Sequence, residues 1–344
     1  MKRICLFILL LCLLFTGCVP QAPTVQEPEE AVQAADALQI HYIDVGQADS
    51  IFLRCGESTM LIDGGNVEDS DLVVSYLLEQ EVTKLDLVVN THAHEDHVGG
   101  LPGVLAVFEA GAVWCPVTEY SSSCFEDFAR YADQQYLALV RPEPGTTYEL
   151  GTAEVTVLGP VKDYDETNDT SIVLRVDHGA NSFLFTGDAE TAAEKDMLDY
   201  GMDVSATVLK VGHHGSDTST CYQWLREVSP QYAVIQVGEG NTYDHPHETV
   251  LSRLRDAGVT VYRTDLQGHI ICTSDGETVS FTTNKNAPVT NPTEKVEYFI
   301  GNKNSKKFHL PSCSGVPKLE NQVPLMGYDL AVAFGYTPCS ICLK

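Results

Sequence analysis

LVVNTHAHEDHVGG, the stretch from residue 87 to residue 100, places three histidines and an aspartate directly after a short apolar run. Such a run, followed by polar residues and two glycines, predicts a buried β-strand that ends where the polar cluster begins. A packed core does not need several imidazole rings in succession, and a solvated face does not need them clustered. Neutral imidazole and carboxylate oxygen are suitable ligands for Zn²⁺ and similar cations. The stretch therefore predicts a metal site with the ligands His92, His94, Asp96 and His97.

The chain between residues 38 and 284 divides into two β-rich halves with helix-like segments between the strands. The predicted strands are 38–45, 49–54, 58–63, 85–90 and 112–115 in the first half, and 153–158, 171–177, 182–186, 206–211, 232–237, 259–263 and 269–273 in the second. The predicted helices are 70–80, 101–108, 125–136, 189–200, 219–228 and 248–257. Several strands are apolar throughout, which is typical of sheets covered on both faces. We therefore predict an α/β fold, a four-layer αββα sandwich.

At the histidine cluster the chain resembles the metallo-β-lactamase superfamily, whose signature is His-x-His-x-Asp-His. The resemblance extends over about residues 38–281, and further motifs occur in the superfamily's order. They are LIDGG at 61–65, FTGD at 185–188 and KVGHHGS at 210–216. The resemblance implies a metallo-β-lactamase fold and a site for two divalent metal ions.

The resemblance also implies roles for single residues in these motifs. Asp63 would support the metal-binding loop from behind the ligands. Asp188 would bridge the two ions. The ligands of the first ion would be His92, His94 and Asp188, and those of the second ion Asp96, His97, Asp188 and His213.

One ligand of the superfamily pattern is missing. Many members carry a further histidine before the bridging aspartate, but here the corresponding stretch 166–171 reads ETNDTS. The only histidine between His97 and Asp188 is His178, which follows a predicted strand and is the alternative ligand. Without such a ligand, the first ion would be weakly bound, rich in water, or better suited to Mn²⁺ than to Zn²⁺. We therefore expect two divalent ions, Zn or Mn.

Shorter motifs narrow the resemblance to the extracellular hydrolase domain of the ComEC/Rec2 family of competence proteins. They are DVGQADS at 44–50, NDTS at 168–171, GHHGS at 212–216 and NTYDHP at 241–246. The resemblance implies that Asn168 and Ser171 support the metal ligands. It also implies that the substrate is DNA or a nucleotide.

These motifs predict a phosphodiesterase or nuclease that acts through a metal-bound hydroxide, because two neighbouring cations activate water and hold both oxygens of an in-line displacement. Asp96 would bind metal and orient the reactants, and His214 or His245 would donate a proton to the leaving oxygen. His214 can equally be a structural neighbour of His213, and residues 241–246 can simply form a tight turn. Two other functions fit the same residues. They are hydrolysis of a lactam, lactone or thioester on the same fold, and a non-enzymatic surface binding protein with a decayed site.

The charge of the chain opposes one part of this hypothesis. The net charge is −27, with 48 Asp and Glu residues against 21 Lys and Arg residues. Nonspecific binding of nucleic acid depends on neutralising its phosphates. The acidic charge of the chain therefore argues against a function in which DNA is held by charge alone. No feature of the sequence indicates a protein partner.

The first residues predict export. Two basic residues precede an apolar run that ends at Phe15, and the run is short because a spanning helix needs about 20 residues. FTGC at 15–18 resembles the lipobox of bacterial lipoproteins, in which the cysteine carries lipid. We predict a protein anchored to the outer face of the cell membrane, with a signal peptide at 1–17, a lipid on Cys18 and a flexible tether at 18–37.

The end of the chain predicts a second metal site. After a linker at 285–296, the segment 297–344 contains His309-x₃-Cys313 and, after 25 intervening residues, Cys339-x₂-Cys342. Four such ligands are typical of a closed structural zinc site. A segment of about 50 residues also rarely folds without a bound metal or a disulfide. The alternative is one or two disulfides, as in many exported proteins.

The same segment resembles the small metal-binding module of the Ada family of DNA-repair proteins, with a histidine in place of one cysteine. It contains five lysines against three acidic residues, the only local basic surplus outside the signal. If the substrate is DNA, this module would hold the strand that the acidic body does not attract.

Overall fold

A computed structural model of the chain describes residues 36–289, 298–311 and 313–343. The predicted signal peptide, Cys18 and nearly all of the tether lie outside the described residues, as do residues 290–296 of the predicted linker. Within the described ranges, every helix is too short or too polar to cross a membrane.

The structure contains strands and helices throughout these ranges. The strands are β1 Leu38–Tyr42, β2 Ile51–Cys55, β3 Ser58–Ile62, β4 Lys84–Leu85, β5 Leu87–Val89, β6 Glu109–Ala110, β7 Val113–Trp114, β8 Leu139–Val140, β9 Thr147–Leu150, β10 Ala153–Gly159, β11 Val173–His178, β12 Asn181–Phe185, β13 Val208–Lys210, β14 Tyr232–Ile235, β15 Thr260–Arg263, β16 Ile270–Ser274, β17 Val279–Thr283, β18 Tyr298–Asn302, β19 Lys307–His309, β20 Gln322–Met326 and β21 Thr337–Pro338. The helices are α1 Ser70–Glu79, α2 Glu95–Val98, α3 Leu101–Val107, α4 Ser123–Gln134, α5 Thr191–Tyr200, α6 Tyr222–Val228, α7 Glu248–Asp256, α8 Thr264–Gln267 and α9 Tyr328–Ala333.

Two large sheets lie at the centre of the fold. One has eight strands in the order β17-β16-β1-β2-β3-β5-β7-β8, and the other has seven in the order β15-β14-β13-β12-β11-β10-β9. Strands β3, β5, β7 and β8 pair in parallel in the first sheet, and β12 to β15 do so in the second. Antiparallel pairs complete both sheets.

Apolar side chains fill the spaces between four layers. Alternate strand positions, such as Ile40 in β1 and Phe183 in β12, meet in a core between the two sheets. The positions between them face the helices, since side chains alternate along a strand. Leu61 thus packs against the first group of helices and Leu184 against the second. The predicted four-layer αββα sandwich is confirmed.

The predicted helices and strands between residues 38 and 273 are all present, with ends that differ by at most three residues. Four strands between residues 38 and 284 were missed by the sequence analysis: β6, β8, β9 and β17. Each lies at an edge of its sheet, where solvent contacts both a face and a free edge. Their sequences are therefore mixed in polarity and lack the apolar pattern that identifies the central strands.

The last part of the chain forms a small sheet of its own, with strand order β20-β18-β19-β21. Its apolar core includes Phe299 and Phe308. This unit lies against α6, where the ring of Tyr222 stacks on Tyr328 at a centroid distance of 5.4 Å. Tyr222 also meets Phe299 edge to face at 5.5 Å, so an aromatic contact joins the tail to the hydrolase fold.

Candidate metal centre

The predicted ligands follow the carboxyl ends of parallel strands in both sheets. β5 leads into His92–His97, β12 into Asp188, and β13 into the turn Gly212–Gly215. Ligand sites in α/β folds lie outside the carboxyl ends of such strands. The two packed sheets bring these three turns, which are far apart in the sequence, to one place.

Asp63 lies behind His97 and orients its ring. The Nδ1 atom of His97 is 2.8 Å from Oδ2 of Asp63, and Asp63 also accepts hydrogen bonds from the amide and the hydroxyl of Thr91. The ring therefore turns Nε2 towards Oδ1 of Asp188 at 3.3 Å and Oδ2 of Asp96 at 3.8 Å. Burial opposes protonation, but the carboxylates of Asp188, Asp63 and Asp96 outweigh it and raise the pKa of His97 above its usual range. Asp63 thus occupies the supporting position that the sequence implied.

Two buried atoms of this group have no hydrogen-bond partner: Nε2 of His97 and Oδ1 of Asp188. A buried polar atom without a partner is destabilising, and a cation between the two would satisfy both. Ligand atoms of four residues lie within 4.8 Å of one another, namely Asp96, His97, Asp188 and His214. Nitrogen and oxygen donors of this kind suit Zn²⁺ or Mn²⁺. The residues thus fit a divalent metal ion.

His214 joins this group of four, whereas the resemblance implied His213 as the ligand beside Asp96, His97 and Asp188. Its Nε2 is 3.2 Å from Oδ2 of Asp96 and 3.7 Å from Oδ2 of Asp188. Its Nδ1 is 3.0 Å from the carbonyl oxygen of Gln236 and 3.3 Å from Oδ1 of Asp49. Burial is outweighed by Asp188 and Asp49, and the pKa of His214 rises to about 10. His214 is buried among carboxylates, which is a ligand's position.

His213 approaches Asp188 from a more exposed side. Its Nε2 is 3.7 Å from Oδ2 of Asp188, and its Nδ1 is 3.3 Å from Oε1 of Glu190 and 3.1 Å from Oγ1 of Thr218. Asn168 donates a hydrogen bond of 3.1 Å to the same Oε1 atom of Glu190, so it supports His213 only indirectly. The sequence analysis missed Glu190. Its position two residues after Asp188 could have indicated a role at the metal site, because carboxylates commonly orient metal-binding histidines.

The backbone of this turn is strained. His213 has a φ of 50° and His214 a φ of 52°, a left-handed conformation that is uncommon for residues other than glycine. Such outliers persist where the surrounding structure holds them, and they cluster at functional sites. Here the carboxylates behind the two rings hold them.

His92 and His94 converge as predicted. Nε2 of His92 lies 3.1 Å from Nδ1 of His94 and 3.9 Å from Oδ2 of Asp188. The Oγ atom of Ser171 lies 3.4 Å from Nδ1 of His92 and accepts the amide hydrogen bond of Asp188 at 3.1 Å. Burial, and then His97, lower the pKa of His92 below its usual range, so the ring is in the neutral form that binds metals. Ser171 thus supports two of the predicted ligands.

His178 does not belong to this site. Its Nδ1 lies 2.9 Å from Oγ of Ser274, and its Nε2 lies 3.0 Å from the carbonyl oxygen of Asp36. Both ring nitrogens are therefore engaged at the end of β11. The alternative assignment of His178 as the missing ligand is wrong, because the hairpin β11–β12 carries it away from the carboxyl ends of the strands.

His245 lies at the rim of the centre. Its ring centroid is 5.7 Å from that of His213, and its Nδ1 is 3.4 Å from Nε2 of Gln47. Burial, with His213 and His214 next in effect, lowers the pKa of His245 to about 4, so the ring is neutral near pH 7. His41 and His269, in contrast, bond to Tyr76 and to the amide of Asp44 respectively, within the fold.

The four predicted ligands of the tail also meet. Ligand atoms of His309, Cys313, Cys339 and Cys342 lie within 4.8 Å of one another, and the three cysteines are free thiols. Backbone N–H groups of residues 310, 315 and 341 point at the three sulfur atoms, at 3.3 to 3.4 Å. Burial opposes ionisation and raises the pKa of Cys313 and Cys342. The four side chains nevertheless supply the nitrogen and sulfur donors of a closed metal site.

Comparison with known proteins agrees with this geometry. The model of the metallo-beta-lactamase superfamily matches residues 43–239. ComE operon protein 3 of Bacillus subtilis is 30% identical over 251 residues, which cover 67% of this chain and 32% of that protein. Competence protein ComA of Neisseria gonorrhoeae is 34% identical over 261 residues, which cover 74% of this chain and 34% of that protein. The chain thus spans about a third of the length of these relatives.

Among solved structures, the metallo-beta-lactamase fold protein YhfI from Bacillus subtilis has a TM-score of 0.49 and 12% sequence identity. The match covers 70% of this chain and 100% of that one. The family model spans more than half of the chain and includes the three ligand-bearing turns. The chain therefore belongs to the metallo-β-lactamase superfamily.

Proposed function

We propose that this metal-dependent hydrolase is an exported phosphodiesterase or nuclease that acts on DNA or nucleotides. The observation that carries the proposal is that histidines from separate turns converge on the carboxylate of Asp188. His97 lies nearest its Oδ1 atom, His92 and His214 lie nearest its Oδ2 atom, and His94 lies against His92. Two cations bound by such a set would suit the displacement of an oxygen at phosphorus.

Two sets of residues would hold the two ions. The first ion would be held by His92, His94 and Asp188, and the second by Asp96, His97, Asp188 and His214. When bound, two such cations act as Lewis acids and activate water at neutral pH.

Access to the centre is uneven. The side chain of Asp96 is 32% exposed and that of His213 is 23% exposed, whereas His92, His97, His214 and Asp188 are almost fully buried. The substrate therefore approaches on the side of Asp96 and His213. Neutral His245 stands next to His213 at this entrance. There it can hold a substrate oxygen by a hydrogen bond and exchange a proton with it.

The nucleic-acid substrate is supported by two further observations. Competence protein ComA is among the matched relatives, and the assignment of a nucleic-acid substrate to this chain is our own extension from that name. The segment 297–344 carries five lysines against three acidic residues, whereas the whole chain has a net charge of −27. Export and attachment through a lipid on Cys18 belong to the same proposal, supported by the basic start, the apolar run and FTGC at 15–18.

The test compares three substrates with the metal-loaded protein. Bis-p-nitrophenyl phosphate and single-stranded DNA should be cleaved, nitrocefin should not, and Asp188→Ala should lose both activities. Turnover of nitrocefin without phosphodiester cleavage would instead favour hydrolysis of a lactam, lactone or thioester. Inactivity on all three, with both metals bound, would favour a non-enzymatic binding protein.

A further inference from the structure

An exposed aromatic ring stands beside the metal centre. Tyr243 is 64% exposed, and its ring stacks on that of His245 with a centroid distance of 5.7 Å and an interplanar angle of 26°. His245 in turn neighbours His213, whose Nε2 faces Asp188. Two rings therefore separate the outer face of Tyr243 from the carboxylate shared by the ligand groups.

Hydrogen bonds from the side chain of Asn241 order the loop that carries Tyr243. The Oδ1 atom of Asn241 accepts the amide hydrogen bonds of Tyr243 and His245, each at 3.1 Å. Its Nδ2 donates to the carbonyl oxygens of Gly238 and His245, at 3.0 and 2.6 Å. Gly238 is also tied to Gln47 by an amide hydrogen bond of 3.2 Å. The backbone of the loop therefore places Tyr243 beside His245 before any ligand arrives, which lowers the entropic cost of binding.

A second tyrosine lies beside His94. The ring of Tyr120 is 6.5 Å from that of His94, edge to face, and packs on Phe125 at 6.0 Å. A cleft of about 490 Å³ opens beside it. A continuous series of contacts thus runs from Tyr120 through the ligands to Tyr243, with the proposed reacting centre in the middle.

We propose that Tyr243, together with Tyr120 beside His94, stacks on unpaired bases near the scissile phosphodiester, so that the enzyme acts on single-stranded nucleic acid. The proposal rests on the function proposed above and names its substrate class. Bases in a duplex stack on one another, whereas those of a single strand can offer a face to an aromatic side chain.

The charges around the two rings do not supply the binding energy. Glu119 adjoins Tyr120 and Asp244 adjoins Tyr243, in a chain whose net charge is −27. Binding through phosphate neutralisation is therefore disfavoured here. Stacking on a base does not require a positive surface. It gives an acidic protein a means of holding nucleic acid at its active site.

Equilibrium binding to uncleavable phosphorothioate strands tests the proposal on the full, metal-loaded chain. The wild type should bind a base-bearing single strand about tenfold or more tightly than an abasic strand of equal length, and more tightly than the duplex. Tyr243→Ala should lose most of this difference, and Tyr243→Phe should keep it. Tyr200→Ala is the matched control, because Tyr200 is equally exposed at 63% but lies at the end of α5.

Kinetics supply a second readout. With cleavable single-stranded DNA, Tyr243→Ala should raise KM about tenfold while kcat changes little. Equal binding of abasic and base-bearing strands by the wild type, or a Tyr243→Ala variant that retains the difference, would overturn the stacking role. Failure of the wild type to cleave any phosphodiester would overturn the proposed function instead, whatever the binding result.

Discussion

Lys210 and Asp49 form a buried ion pair, with Nζ of Lys210 2.7 Å from Oδ2 of Asp49. Lys210 is the last residue of β13 in the second sheet, and Asp49 lies just before β2 in the first. The other carboxylate oxygen of Asp49 is 3.3 Å from Nδ1 of His214. One buried contact therefore joins the two halves of the sandwich and positions a metal ligand.

Lys210→Met should lower the free energy of unfolding by about 3–5 kcal/mol, because it leaves the buried carboxylate of Asp49 without its lysine partner and with His214 alone beside it. The double variant with Asp49→Asn should lose less than the sum of the two single losses. Urea unfolding measures all three variants. Lys84→Met is the control, since Lys84 pairs with Asp86 at the surface, and its stability should stay near that of the wild type. Additive losses at residues 49 and 210 would contradict the coupling.

Asp188→Ala should abolish hydrolysis and reduce the bound metal, because one carboxylate serves both ligand groups. His178→Ala is the matched control. It removes another buried histidine, but one whose ring nitrogens bond to Ser274 and Asp36. Metal content per chain and the rate on a chromogenic phosphodiester are measured together. Loss of a metal equivalent from His178→Ala would show that the ligand assignment is wrong.

Glu194 should make stability depend on pH. Its buried carboxyl accepts the amide hydrogen bonds of Thr220 and Cys221, and burial raises its pKa from 4.5 to about 7 against these opposing bonds. The folded protein thus binds this proton more tightly than the unfolded chain. The associated stability is fully present below about pH 4.5 and is lost as the pH rises through about 7.

Glu194→Gln has no such proton to lose. Its free energy of unfolding should therefore improve relative to the wild type between about pH 5 and 8, by at most about 3 kcal/mol. Unfolding of both proteins across this range measures the effect. A difference that stays constant with pH would contradict the prediction.

Removal of residues 297–344 should leave hydrolysis of a small phosphodiester nearly intact, because the proposed catalytic ligands all precede the linker. The same truncation should weaken cleavage of long DNA and make its salt dependence shallower, since each lost lysine–phosphate contact reduces counterion release. Rates on both substrates are measured against salt concentration. Unchanged cleavage of long DNA would refute a binding role for the tail.

Cys339→Ser should mimic the truncation and lose one zinc ion per chain, because metal binding and folding are coupled in units this small. Cys124→Ser, which changes a buried thiol in α4, is the control and should keep its zinc. A tail that holds disulfides and no zinc would contradict the assignment.

Cys18 should carry lipid and retain the protein at the membrane. Cells labelled with a fatty-acid analogue should show a labelled wild type and an unlabelled Cys18→Ser variant. Equal labelling of the two proteins would exclude the lipid anchor.

Much of the centre could be predicted from the sequence because its residues are local. His92, His94, Asp96 and His97 follow one apolar strand within six residues, and a strand end fixes where such a cluster lies. The central strands were equally predictable, since both of their faces are buried and their apolar runs are unbroken. The tail ligands followed from their spacing.

The tertiary structure alone decided how distant residues combine. His213 and His214 are adjacent in the sequence, and only the left-handed backbone at both positions shows that His214 enters the buried group. Asp49, Glu190 and Tyr243 lie in different turns. Asp49 acquires its role from a contact across the two sheets, Glu190 from a contact with the turn after the neighbouring strand, and Tyr243 from the placement of its loop beside His213. Local sequence patterns report the burial and direction of one segment. They carry no information about which side chains of two distant segments meet, because the packing of the whole core determines how close those segments come.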